Sequence, residues 1–257
     1  SDREWAPENN LAIAANGAAF RRDKQGIVPE IIEELYGQRV AVKKSMLEYE
    51  KQAELVDKNS KEYRELQINI DLANNRQMCL KILLNSLYGA ILNPGCRFFD
   101  NRIGQSTTLT GRQIAKHMAS KVNEIITGEY DHIGRAVIYG DTDSCYFSAY
   151  ATLKKDIEKG LIPWNRESVV ELYDTIGETV NGTFPKFMQD AFHCPKSRGE
   201  VIKAGREIVA SKGLFITKKR YAVLYYDKEG KRSDTEGKPG KIKAMGLDLK
   251  RSDTPVV

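Results

Sequence analysis

Paired cysteines are the first thing this chain lacks: Cys79, Cys96, Cys145 and Cys194 are scattered, with no C-x-x-C spacing among them. That scatter argues against a zinc site and against a disulfide framework, and it suits a reducing cytoplasm. Histidine is scarce as well, and His117, His132 and His193 fall in no ligand-spaced arrangement, so none is assigned a catalytic part. No run approaches the roughly 18 consecutive apolar residues of a membrane span, and the first residues lack the charged-then-apolar pattern of a signal peptide. A soluble, unsecreted chain with no membrane partner is expected. There is no internal repeat and no low-complexity tract. A strong excess of one charge is also missing, since 40 basic and 35 acidic side chains leave a formal charge of +5. Nucleic-acid binding is thereby permitted but not demanded.

What is present is organised along the chain. Lys196, Arg198, Lys203, Arg206, Lys212, Lys218, Lys219, Arg220, Lys228, Lys231 and Arg232 crowd the last third. Such a surface neutralises phosphates without regard to sequence, although Glu200, Glu207, Asp227 and Glu229 dilute it. Hydrophobic residues make up 41% of 257, enough for a genuine core in one domain or two small ones. Turn-prone pairs up to Gly26 predict loops and a short hairpin. Pro29 opens a long helical pattern, Asp57-Lys58-Asn59-Ser60 interrupts it, and a second long helix runs from about Ser60 to Leu92, with Asn59 and Glu62 in capping-box spacing. Two such helices joined by a short polar loop make an αα-hairpin. Further helices are expected near 103–127 and 166–194. Beyond them, two strands are expected around Ser211-Lys212-Gly213, then a turn at Lys228-Glu229-Gly230-Lys231, a loop from Ser233 to Gly240 and a last strand over 241–247.

Tyr139-Gly140-Asp141-Thr142-Asp143-Ser144 is the richest segment. It lies between the apolar runs Ala136–Tyr139 and Cys145–Phe147 and reads as the tip of a β-hairpin. Two carboxylates so close repel, and a shared Mg²⁺ relieves the repulsion, because that hard cation prefers carboxylate oxygen. Metal-assisted phosphoryl transfer uses this chemistry. Ordinary turn chemistry would also select Gly, Asp, Thr and Ser here. Upstream, Lys81, Asn85 and Tyr88 fall at i, i+4 and i+7 in Lys81-Ile82-Leu83-Leu84-Asn85-Ser86-Leu87-Tyr88-Gly89 and share one helix face. The ammonium can grip a triphosphate while the amide and ring meet sugar and base. A solvated face with one buried tyrosine is the plainer alternative.

Lys-x-x-x-Asn-Ser-x-Tyr-Gly followed by Tyr-Gly-Asp-Thr-Asp-Ser resembles the fingers and palm of a family B DNA polymerase. The wording around Asn101-Arg102, Lys121-Val122-Asn123-Glu124, Lys218-Lys219-Arg220-Tyr221 and Met245-Gly246-Leu247 is nearest to the replicative polymerases of T-even-like bacteriophages, so the host-cell cytoplasm is implied. The resemblance implies an α+β fold: an antiparallel palm sheet with packed helices, carrying a helical hairpin as fingers. On this reading residues 1–28 belong to the palm, 29–92 are fingers, and 93–257 continue the palm to the start of the thumb at Ser252-Asp253-Thr254-Pro255. It implies deoxynucleoside triphosphates and primer-template DNA as partners and two Mg²⁺ ions as cofactors. Asp143 is then the principal metal ligand, Asp141 its neighbour, and Glu207 a further carboxylate near the metals. Lys81 grips the triphosphate; Arg39 and Lys43, at i and i+4 on the first long helix, give a second grip; Asn85 and Tyr88 border the nascent base pair; Gly89 leaves room for the template. Lys218, Lys219, Arg220 and Tyr221 hold the primer from a strand whose alternation sends Lys219 and Tyr221 to one face.

The family's other metal-binding block, Asp-x-x-Ser-Leu-Tyr-Pro, is absent from this sequence. With it go a carboxylate that a two-metal site needs and the tyrosine that excludes ribonucleotides. An exonuclease domain is missing too. The expectation is part of a DNA-directed DNA polymerase, incomplete alone, its partner the missing polymerase region in the same chain or a split subunit. The alternative is a noncatalytic DNA-binding module derived from a palm. A nucleotidyl cyclase or reverse transcriptase is disfavoured, because neither carries the fingers motif.

Overall fold

Long uninterrupted helical patterns become the longest elements of the computed structural model, which describes residues 2–235 and 237–247. The expected thumb start at Ser252–Pro255 lies outside them. The chain mixes helix with small antiparallel sheets and divides into two compact units, the boundary falling after Thr108.

In the first unit, α1 (Asp2–Glu8), where sequence suggested only loops, precedes the short hairpin of β1 (Leu11–Ile13) and β2 (Ala19–Arg21). Helices α2 (Ile27–Leu55) and α3 (Lys61–Ile91) form the expected helical hairpin. Its cap differs from the expectation. Ser60, not Asn59, is the N-cap of α3 and accepts the Tyr63 N–H through its hydroxyl at 3.0 Å. The Asn59 N–H is instead taken by the Asp57 carboxylate at 2.9 Å, which spends that residue on the turn. Few side chains of the pair are buried: Ala53 on α2, and Leu66, Leu80 and Ile91 on α3.

Helix α4 (Asn101–Thr127) enters the second unit. There follow β3 (Val137–Asp141), β4 (Ser144–Phe147), α5 (Tyr150–Glu158), α6 (Arg166–Phe192) and α7 (Lys196–Gly199). The unit ends with β5 (Ile208–Thr217), β6 (Arg220–Lys228), β7 (Lys231–Arg232) and β8 (Lys241–Met245). Strands β3 and β4 form a two-stranded antiparallel sheet; β6 is the centre of a second sheet, paired with β5 on one edge and with β7 and β8 on the other. The core joins Val122 of α4 to Ile176, Val180 and Phe184 of α6, with Phe147, Ile202 and Ala204 packed against them. Burying each such side chain contributes about 2 kcal/mol. A second cluster sets Val169 against Val209 and Tyr226.

Asn123 is fully buried and fastens the loop that leads into β3: its amide donates to the Glu129 carbonyl at 2.8 Å and its carbonyl oxygen accepts the Ala136 N–H at 3.0 Å. Gly134 leaves the space for it, since a Cβ there would stand 2.0 Å from the Asn123 amide nitrogen. His117, also buried, hydrogen-bonds Tyr130 and Thr183 at 2.8 and 2.9 Å and stacks on Phe187 with ring centroids 3.9 Å apart.

Two strand expectations are corrected. Strand β5 runs straight through Ser211-Lys212-Gly213, absorbing its irregularities as register shifts rather than as a turn. The turn comes at Lys218-Lys219, where Lys219 has φ +62°. Lys218 and Lys219 are therefore not strand residues and have no alternating faces. The turn at Glu229-Gly230 stands as expected, with φ +49° and +83°.

Candidate functional site

The acidic segment is a two-residue turn. Asp141 pairs with Ser144 across it, Thr142 and Asp143 form its tip, and Tyr139 pairs with Tyr146 lower down. Thr142 has φ +52°, in a region a β-branched side chain rarely enters. Such strain persists only where the surroundings impose it. The Thr142 hydroxyl donates to the Asp141 carboxylate at 3.1 Å and the Ser144 hydroxyl to the Asp141 carbonyl at 3.0 Å. Asp143 is exposed, and its carboxylate makes no hydrogen bond or ion pair with any described residue.

Four aromatic rings bolt this hairpin to the next. Tyr139 and Tyr146 meet Phe215 and Tyr221 with every pair of centroids between 5.2 and 6.1 Å. Aromatic pairs at such distances contribute about 1 kcal/mol each beyond simple burial. The hydroxyls extend the joint: Tyr146 donates to Tyr221 at 3.3 Å, and Tyr139 accepts the Lys219 N–H at 2.7 Å. Burial, followed by the Tyr221 hydroxyl, pushes the Tyr146 phenol far above its ordinary value. Exposed Lys218, Lys219 and Arg220 are thus tethered to the strand that carries Asp141, while Tyr221 is buried beneath them.

A cleft of about 310 Å³ opens beside the turn. Asp143, Tyr146 and Tyr221 line one side, and the stretch Lys203–Glu207 with Lys243 lines another. Glu207 faces Lys243, whose ammonium donates at 2.8 Å. Cys145 borders the same cleft, and burial lifts its thiol to about 11, far from thiolate chemistry. Carboxylate oxygens on Asp141, Asp143 and Glu207 are the donor type that Mg²⁺ takes. Among the described residues, however, no group of three His, Cys, Asp or Glu side chains is drawn together tightly enough to hold a metal. The donors fit in kind, but Asp141, Asp143 and Glu207 do not come together as such a group.

The remaining candidates belong to the first unit. Lys81 and Asn85 are exposed on α3, and the Tyr88 hydroxyl, on the same face, donates to the Gly104 carbonyl at 3.3 Å. A Cβ at Gly89 would meet nothing within 4 Å, so that stretch of helix is open. On α2, Arg39 is half-buried and its Nε is a buried donor with no acceptor. Lys43, one turn on, is half-buried too. Sequence reasoning did not single out Asn123 or Asn181, and it counted Arg206 in a phosphate-neutralising surface, whereas its guanidinium is turned inward onto Asp174 and Asp227; only an isolated polar residue within an apolar helical pattern could have flagged the two asparagines.

Residues 3–159 match the family model described as DNA polymerase family B. The chain is 28% identical to the DNA-directed DNA polymerase of Enterobacteria phage T4 and 26% identical to that of Escherichia phage RB69, in each case over 97% of this chain and 32% of the relative. It spans about a third of the length of these curated relatives. A solved structure of the family B DNA polymerase from the archaeon Pyrobaculum calidifontis aligns with 93% of this chain and 22% of its own, at 23% identity and a TM-score of 0.44.

Proposed function

The chain belongs to DNA polymerase family B, and from that premise we propose that it forms the fingers and part of the palm of a DNA-directed DNA polymerase. The observation that carries the proposal is the joint between the acidic turn, whose Asp143 carboxylate has no partner among the described residues, and a cationic turn, made through Tyr139, Tyr146, Phe215 and Tyr221. Carboxylates that hold metal and cations that hold a primer must keep a fixed separation if a 3′-hydroxyl is to meet an α-phosphate, and a packed aromatic joint provides that.

In this reading 29–92 are the fingers, and 1–28 with 93–257 are palm. Asp143, Asp141 and Glu207 would hold Mg²⁺, which when bound neutralises the charge that develops in phosphoryl transfer. Lys81, with Arg39 and Lys43, binds the triphosphate of an incoming deoxynucleotide. The orphan Nε of Arg39 is a donor awaiting an anion. Asn85 and Tyr88 border the nascent base pair, and the open surface at Gly89 admits the template. Lys218, Lys219 and Arg220 take primer phosphates, and Tyr221 supports them from below. A further carboxylate completes the metal site from a polymerase segment other than the described residues. The cytoplasm of the host is the proposed place of action.

Primer extension tests this. The chain alone with Mg²⁺ and deoxynucleotides is expected to give no product, and adding a fragment that bears the acidic block Asp-x-x-Ser-Leu-Tyr-Pro is expected to restore it. Asp143→Ala should remain inactive after addition, with Asp141→Ala less impaired. Robust synthesis by the isolated chain would overturn the incompleteness. The Glu207–Lys243 ion pair favours a second reading, a noncatalytic DNA-binding module in which that carboxylate never meets a metal. Salt-sensitive DNA binding without any divalent-ion dependence of nucleotide binding would select it.

A further inference from the structure

The stretch from Ile202 to Glu207 has no strand partner, yet its side chains alternate as a strand's do: Lys203, Gly205 and Glu207 are exposed, and Ile202, Ala204 and Arg206 are turned inward. An extended segment without a ladder is ordinarily mobile, because nothing satisfies or fixes its main chain. Here α6 supplies the fixing. Asn181 clasps Ala204 on both sides, its amide donating to the Ala204 carbonyl at 2.7 Å and its oxygen accepting the Ala204 N–H at 2.7 Å. Two turns earlier on the same helix face, Asp174 takes the Arg206 guanidinium as a two-pronged fork. The third prong of Arg206 reaches Asp227 of β6 at 2.5 Å, and Asp227 is buried and also accepts the Gly230 N–H at 3.1 Å. Burial alone would lower the Arg206 guanidinium, but its bonds to Asp174 and Asp227 outweigh that and keep it raised. The Glu207 carbonyl accepts the Glu229 N–H at 2.8 Å, which closes the end of the strip.

We infer that Asn181, Asp174 and Arg206 are positioning residues: they replace a missing β-ladder and hold the Lys203–Glu207 strip so that the Glu207 carboxylate faces the cleft lined by Asp143. None of the three is a ligand in this scheme; each acts on Glu207 through the main chain. The inference rests on the proposed polymerase reading for its consequence, but its geometry is independent of that reading. Supporting residues of this kind typically change metal affinity or activity by about 10- to 100-fold when removed.

The test uses Mn²⁺ as the probe and amide NMR of the full chain. Mn²⁺, added together with the fragment that bears the acidic block Asp-x-x-Ser-Leu-Tyr-Pro so that the site is complete, should broaden the amides of both Asp143 and Glu207. In Asn181→Ala the broadening at Glu207 should fall several-fold while that at Asp143 persists, and Asp174→Asn, a near-isosteric change at a half-exposed site, should act in the same direction. Unchanged broadening at Glu207 in both variants would overturn the inference, as would its absence in the unsubstituted chain. In complemented primer extension, kcat referred to the folded fraction measured by circular dichroism should fall about tenfold with KM for the deoxynucleotide little changed; a fall that vanishes on that correction would be destabilisation only and would overturn the positioning role. Failure of extension with intact Mn²⁺ behaviour would count against the polymerase reading and leave the positioning role standing.

Discussion

At the scale of single residues, burial sets the pH response. Burial, then the charge of Lys121, lowers the His117 imidazole below its ordinary value, so the folded protein keeps it neutral. As pH falls through about 6.5 the unfolded chain takes up a proton that the folded chain refuses, and stability is lost. Urea melts from pH 7.5 to 5 should show this decline. His117→Phe, which keeps the stacking on Phe187 but cannot titrate, should abolish the slope while losing stability at neutral pH, because the two ring-nitrogen hydrogen bonds to Tyr130 and Thr183 are lost. Asp234 acts in a lower window. Hydrogen bonds from Arg232, and then from Arg166, hold its carboxyl well below the ordinary range. Its contribution is therefore full above about pH 4 and disappears as pH drops toward its folded value. Asp234→Asn should flatten the stability curve below pH 4 and leave the His117 window untouched.

The element scale belongs to the joint between the acidic hairpin and the turn at Lys218-Lys219. Tyr139→Phe keeps all three ring contacts and removes only the acceptor for the Lys219 N–H. Since Lys219 sits at positive φ, losing that bond frees a turn already disfavoured for a side chain. A loss of about 1 kcal/mol in thermal or urea unfolding is expected, together with faster hydrogen exchange at the Lys219 amide. Phe215→Ala removes the ring that touches Tyr139, Tyr146 and Tyr221 at once and should cost about 3 kcal/mol; a cost below about 1 kcal/mol would mean that the rings do not hold the hairpins together.

The same scale shows what was legible beforehand. Helices α2, α3 and α4 and the acidic hairpin were readable because their signals are local: apolar periodicity for the helices, and Gly-Asp-Thr-Asp between two apolar runs for the turn. The carboxylates at 141 and 143 could be named for the same reason. Lys218-Lys219 was misread as strand because its turn depends on Tyr139, which is 80 residues away in sequence. Strand β5 was split at Ser211-Lys212-Gly213 because those residues resemble a turn, and only their neighbours on β6 make them a strand with register shifts. Helix α5 follows the acidic hairpin at once, with little room for a separate periodic signal, and was missed. Asn181 and Arg206 act through partners more than 20 residues distant; a local window can mark Asn181 as a polar residue in an apolar helical pattern, but it reveals the partners of neither.

For the whole molecule, the two units differ in how much they bury. Helices α2 and α3 together span 60 residues and bury four hydrophobic side chains, whereas α6 alone buries Val169, Ile176, Val180, Phe184, Met188 and Phe192. Opening free energies follow such differences in apolar contact. Native-state hydrogen exchange is expected to find the slowest amides in α6 and the centre of β6, and the α2–α3 amides exchanging through a lower-energy opening. Equal protection across both units would contradict this.

Gly134 carries a last consequence. Its missing side chain is the socket for the Asn123 amide, and Asn123 in turn fixes the approach to the acidic turn. Gly134→Ala must displace that amide and leave buried donors and acceptors without partners, a loss of about 2 kcal/mol or more. Heat would then loosen the acidic hairpin well before the α4–α6 core melts. One added methyl group would thus make the turn heat-sensitive from a position that touches neither nucleic acid nor nucleotide in the proposed scheme.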